Sequence, residues 1–134
     1  MYSITKEIYF CYGHRLMNHG GKCRHIHGHS VKAAITVTAS ELDDQGMVRD
    51  FSDVQQSASA FIDAQLDHNF LVHEDDPLCF ILQRSGERFL SLPDHPTAEV
   101  LSRMIYTEMQ KRGFSVEKVT LWETASAHAS YTED

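Results

Sequence analysis

The sequence predicts an α+β domain in which a four-stranded antiparallel sheet carries two helices on one face. Three observations lead there. Val31, Ala33, Ile35, Val37 and Ala39 alternate with Lys32, Ala34, Thr36 and Thr38, the period of a half-buried strand. Apolar residues recur at helical spacing in two later stretches, first Val54, Ala58, Phe61 and Ile62, then Val100, Leu101, Met104, Ile105 and Met109. Period-2 runs near both ends of the chain supply further strands, and strand pairs with helices gathered on one side make this class of fold.

The elements follow in order. Ile4, Ile8 and Phe10 alternate with Thr5, Glu7 and Tyr9 in the first strand, and His14 stands at its end. Residues 17–22 are polar and glycine-rich, a loop that delivers Cys23 and the histidines behind it. Residues 30–40 are the clearest strand. Asp43-Asp44-Gln45-Gly46 reads as a turn, after which Met47 and Val48 begin a short strand that pairs back as a hairpin. Ser52 with Gln55 has the form of a capping box, so a helix is predicted over about residues 52–65, ending at Leu66-Asp67-His68-Asn69. Residues 73–95 carry the weakest pattern: an acidic turn at Glu74-Asp75-Asp76-Pro77, an apolar run over 78–82 and a candidate strand over 88–92. Pro96-Thr97 opens the second helix and Gly113 closes it. In the last strand, residues 116–124, Val119, Leu121 and Glu123 share a face, so a carboxylate continues an apolar row. The bare edges of an open sheet call for cover, which copies of a small chain provide by joining edge to edge.

Composition narrows the function. With 134 residues, 42% hydrophobic and 23% charged, the chain is predicted to be one domain over 1–134, and repeats and low-complexity segments are absent. No apolar run approaches the roughly 18 residues of a membrane span. The N-terminus lacks a basic start followed by an apolar stretch, so no signal peptide is expected and the protein is predicted to be cytoplasmic. Cys11, Cys23 and Cys79 are too few and too irregular for a disulfide framework, and Cys11 and Cys79 read as core residues. Net charge is −7, yet residues 1–40 hold Lys6, Arg15, Lys22, Arg24 and Lys32 against the single acid Glu7. Basic residues gathered at one end of an acidic chain favour an anionic small molecule over nucleic acid or a membrane.

The chemistry concentrates in Cys23-Arg24-His25-Ile26-His27-Gly28-His29. If residues 27–29 are extended, His27 and His29 project from one face while Gly28 points away, and two imidazoles meet one ion. A catalytic zinc commonly takes three protein ligands and leaves a position open, and His14 is the preferred third ligand. Two other readings remain: a turn with two solvated imidazoles, or a closed structural site in which Cys23 is the fourth ligand.

The segments Gly13-His14-Arg15-Leu16, Cys23 with His27-Gly28-His29, Gly46-Met47-Val48-Arg49-Asp50-Phe51, Leu66-Asp67-His68, Pro96-Thr97-Ala98-Glu99 and Trp122-Glu123-Thr124 stand in that order across nearly the whole chain. Together they resemble the 6-pyruvoyl-tetrahydropterin synthase and 6-carboxytetrahydropterin synthase family. The resemblance implies the tunnelling fold (T-fold), in which trimers close their sheets into a barrel and two trimers stack as a homohexamer with active sites between subunits. It implies Zn2+ held by His14, His27 and His29, with Cys23 as general base. Asp67 and His68 would be relay partners from a neighbouring chain, and Glu123 would anchor a pterin ring with Thr124 adding a contact. Bacterial members of this length that keep the cysteine resemble the 6-carboxytetrahydropterin synthases of queuosine and other 7-deazapurine pathways. For those, 7,8-dihydroneopterin triphosphate would yield 6-carboxy-5,6,7,8-tetrahydropterin, acetaldehyde and triphosphate. Alternatives are triphosphate elimination alone, giving 6-pyruvoyltetrahydropterin, or a non-catalytic zinc- or pterin-binding module. Asp67-His68 could also be an ordinary helix-end pair, and Glu123 could pair with a buried Arg. Arg15, Lys22 and Arg24 are candidates for the triphosphate. One departure stands out: many members have a small or polar residue and then Ala-Ala before the first histidine, where this chain has Cys11-Tyr12-Gly13. The tyrosine is expected to narrow the pocket or pack against a neighbour.

Overall fold

The longest ladder in the computed structural model, which describes residues 1–134, joins Tyr2–His14 (β1) to the antiparallel strand His27–Ala39 (β2). On the far side of β2 lie Val116–Trp122 (β5) and His128–Tyr131 (β6), both antiparallel to their neighbours. On the other side, the last residues of β1, Tyr12–His14, pair in parallel with Asn69–His73 (β3), which pairs in parallel with Phe89–Leu92 (β4). The sheet order is β4-β3-β1-β2-β5-β6. The helices are Phe51–Gln65 (α1), Leu78–Arg84 (α2) and Ala98–Lys111 (α3), and none is long and apolar enough to cross a membrane.

One face of this sheet makes the core. The even-numbered side chains Ile8, Phe10 and Tyr12 of β1 point the same way as the odd-numbered Val31, Ala33, Ile35 and Val37 of β2, with Val119 and Leu121 of β5. Val54, Ala58 and Ile62 of α1, with Leu66 just beyond it, and Leu101, Ile105 and Met109 of α3 close over them. Removing an aliphatic side chain of this size from water contributes about 1.5–3 kcal/mol. Helix periodicity on α1 and α3 is therefore the imprint of one buried face.

Several expectations need correction. The sheet has six strands and is mixed, not four antiparallel strands, and there are three helices rather than two. Strand β3 escaped the alternation test because Leu71 and Val72 are both fully buried, as happens in parallel strands covered on two sides. No strand forms at Met47-Val48. The Asp43 carboxylate instead accepts the N–H groups of Gln45 and Met47, closing a turn around Gly46 at φ 78°, and Val48 packs against the core. Asp50 rather than Ser52 caps α1, accepting from Ser52 N at 2.8 Å. Thr97 caps α3 through Val100 N, 3.2 Å away. Cys11 and Cys79 are half-buried rather than core residues.

Candidate metal centre

Strand register assembles the histidines. His14 stands directly opposite His27 across the β1–β2 ladder, and Tyr12 opposite His29. All three histidines belong to the core-facing rows of their strands, at the end of the sheet where the apolar residues stop. Their ring nitrogens gather so that one atom from each of His14, His27 and His29 lies within 4.8 Å of the others. Gly28 is paired with Gly13, and a Cβ on Gly28 would stand 3.1 Å from the Tyr12 carbonyl oxygen, so a bare glycine lets the strands close up between the histidines.

Hydrogen bonds fix the tautomers. His14 Nδ1 lies 2.7 Å from the Pro96 carbonyl oxygen, and His27 Nδ1 lies 2.7 Å from that of His25. A carbonyl oxygen only accepts, so each Nδ1 carries the proton and each Nε2 presents a lone pair. The two Nε2 atoms then face each other at 2.9 Å, a repulsion that a proton or a metal cation between them relieves. Burial, the largest effect, together with neighbouring His27 and His29, holds the His14 pKa below its ordinary value against the opposing pull of Pro96 and Glu123. Neutral imidazoles with their second nitrogens tied to backbone carbonyls are the arrangement metal-binding histidines adopt. The donor set fits a divalent cation such as zinc.

The fourth neighbour is a carboxylate. Glu123 follows β5 on the same face as Val119 and Leu121, and its Oε1 lies 3.9 Å from His14 Nε2 and 4.0 Å from His29 Nε2. Its hydrogen-bond partner is the Tyr12 hydroxyl at 2.9 Å, not a buried Arg. Burial foremost, then the Glu123 charge and hydrogen bond, pushes the Tyr12 phenol far above its usual range, so it stays a donor.

The other predicted residues lie elsewhere. Cys23 sits half-buried in a single 3-10 turn, Lys22–Arg24, and is not among the clustered ligand atoms. Asp67 and His68 follow α1 and form a second cluster, with Cys11, beside β1. Asp67 accepts from Cys11 N at 3.0 Å and holds His68 Nδ1 at 2.9 Å. The Cys11 N–H foremost, with His68 adding to it against the cost of burial, keeps the Asp67 carboxyl below the usual carboxylate range. The His68 side chain is 77% exposed, and its backbone adopts φ 53°. Sequence reading missed Cys11 as a member of this group because 56 residues separate it from Asp67. Thr124 is exposed and lines a separate pocket with Tyr9, Lys32 and Trp122. Arg15 is bound to the buried Asp76 by two hydrogen bonds, whereas Lys22 and Arg24 are exposed and make no ion pair.

The sequence model described as 6-pyruvoyl tetrahydropterin synthase matches residues 3–134. The chain is 34% identical over 131 residues to the 6-carboxy-5,6,7,8-tetrahydropterin synthase of Rickettsia typhi, covering 92% of this chain and 95% of the relative. It is 28% identical over 141 residues to the protein of the same name from Haemophilus influenzae, covering 99% and 100%. Among solved structures it is similar to an uncharacterized protein of Wolinella succinogenes, with TM-score 0.81, 27% identity and 99% and 98% of the two chains covered. The Caenorhabditis elegans 6-pyruvoyl tetrahydropterin synthase shares the fold at TM-score 0.74 and 19% identity, covering 99% and 96%.

Proposed function

The chain belongs to the 6-pyruvoyl tetrahydropterin synthase family and has its tunnelling fold, and from that premise we propose that it is a zinc-dependent lyase acting on 7,8-dihydroneopterin triphosphate. The products are 6-carboxy-5,6,7,8-tetrahydropterin, acetaldehyde and triphosphate, a conversion that feeds queuosine and related 7-deazapurine synthesis. The names of the relatives at about 30% identity support a pterin synthase of this kind. The observation that carries the reading is the convergence of three imidazoles, with the Glu123 carboxylate beside two of them.

His14, His27 and His29 hold the ion. Zinc supplies Lewis acidity toward the side-chain hydroxyls of the substrate. Glu123 presents a carboxylate that accepts parallel hydrogen bonds from the amide N–H and amine of a pterin ring. Cys23, four residues before His27, is the general base. Asp67 orients His68 so that its Nδ1 is engaged and its Nε2 is free to take and pass a proton. The exposure of His68 suits a residue that serves the site of a neighbouring copy, which accords with a homohexamer whose active sites lie between subunits. Lys22 and Arg24 remain the candidates for the triphosphate, whereas Arg15 is already committed to Asp76.

The test is a mass spectrum of the products after incubating zinc-loaded protein with 7,8-dihydroneopterin triphosphate. A 6-carboxytetrahydropterin mass with acetaldehyde is expected. A 6-pyruvoyl product would move the chain to the activity after which the family is named, and unchanged substrate would leave a binding module.

A further inference from the structure

The tyrosine that interrupts the expected sequence before His14 lies inside the metal cradle. Tyr12 is 3% exposed and stands edge-on to the His14 ring, with centroids 5.2 Å apart and planes at 82°. The His29 ring is 5.9 Å away. Its hydroxyl donates to Glu123 Oε1, the same oxygen that lies 3.9 and 4.0 Å from the Nε2 atoms of His14 and His29. Ligand atoms about 2.0–2.2 Å from a tetrahedral zinc stand roughly 3.3–3.5 Å from one another. Glu123 Oε1 therefore stands about half an ångström beyond that separation from His14 and His29 and lies outside the group that His27 completes, so it does not take the place of a fourth protein ligand.

Resting on the metal reading above, we propose that Tyr12 is a positioning residue whose hydroxyl holds Glu123 out of the metal's fourth coordination position and so keeps that position open for substrate. Two features carry this. Glu123 follows β5 directly and its carboxylate already faces His14 and His29, so a side-chain rotation toward His27 would complete a closed site of three imidazoles and one carboxylate. Such a closed set gives a tightly held, inert metal, whereas a catalytic one needs an exchangeable position. Against that rotation stands the phenol, which is buried among the core residues and has Glu123 as its hydrogen-bond partner. Moving the carboxylate onto the ion would leave a buried hydroxyl unsatisfied, an outcome folded proteins avoid. A phenylalanine would fill the same space without that restraint.

The experiment uses cobalt(II) as a visible probe, azide as a competing ligand and a chelator to read affinity. Cobalt-loaded wild type is expected to change its visible absorption on addition of azide. Tyr12→Phe is expected to lose that response and to hold cobalt about tenfold or more tightly, and Tyr12→Phe/Glu123→Gln is expected to regain it. Glu123→Gln in an otherwise unchanged chain should bind cobalt as the wild type does, because Glu123 is not a ligand while Tyr12 holds it. This last comparison stands even if Tyr12→Phe fails to fold. Unchanged affinity and azide response in folded Tyr12→Phe overturns the proposal, as does weaker cobalt binding by Glu123→Gln. A wild type that takes up no cobalt removes the metal reading itself and this inference with it, whereas metal binding without lyase activity overturns the proposed reaction alone.

Discussion

His27 and Cys23 are four residues apart, yet the chemistry assigns them opposite tests. His27→Ala removes one of three clustered imidazoles and is expected to lose zinc. Cys23→Ala, with its sulfur outside that cluster, is expected to keep zinc and ligand while turnover falls by roughly 10²–10⁴. Metal analysis beside steady-state kinetics reads both, and metal lost with Cys23 would make it a ligand. His68 occupies left-handed backbone that costs a residue with a Cβ about 1–2 kcal/mol. His68→Gly removes that cost but frees the unfolded chain, so stability by thermal unfolding should stay within about 1 kcal/mol of wild type. Turnover should collapse all the same. Asp76 is an acid whose role is structural. Burial is the largest effect on its carboxyl and pushes the pKa up, but the Arg15 hydrogen bonds and charge, the Leu78 N–H and nearby His73 outweigh it and hold the value below the ordinary 3.8. A depressed folded pKa means the stabilisation is full above the unfolded value and is lost as pH falls through the folded one. Asp76→Ala should therefore cost about 2–3 kcal/mol near neutrality in urea unfolding, and the gap should narrow in strong acid.

The β1–β2 ladder is the element that makes a site out of scattered residues. Its register sets His14 against His27 and Tyr12 against His29, and its tight closure at Gly13 and Gly28 keeps them together. Gly28→Ala puts a methyl group 3.1 Å from a backbone oxygen, which can yield only by moving the strands apart. Zinc affinity by calorimetry should fall about tenfold, roughly 1.4 kcal/mol, with little change in secondary structure by circular dichroism. Unaltered affinity would show that the histidines tolerate a looser ladder. This element was half visible beforehand. The alternation in β2 and the pairing of His27 with His29 are local and can be read from spacing two, whereas the choice of His14 depends on which residue of another strand lies opposite.

The whole molecule leaves part of its sheet unpaired. Strand β3 covers β1 only at Tyr12–His14, and β6 has no neighbour on its outer side. The Cys11 N–H and C=O point to the β3 side, toward Asp67 and His68, so by alternation the odd residues of β1 from Ser3 to Tyr9 aim theirs at the open edge. A proline there removes an outward donor and spares the bonds to β2. Thr5→Pro should thus lower the mass seen by light scattering while the circular dichroism spectrum is kept. A wild type that is monomeric at micromolar concentration would count against assembly through these edges.

The fold class, the two long helices, the central strands and the His-Gly-His pair are legible in the sequence, because each is written in a period that neighbouring residues share. The sequence also held the ordered motifs by which the family could be recognised. The mixed sheet, the neighbours of Asp67 and the contact between Tyr12 and Glu123, which lie 111 residues apart, emerge only once the chain has folded. Short parallel strands buried on both faces carry no alternation, and a contact between distant residues exists only after strand register brings them to the same end of the sheet.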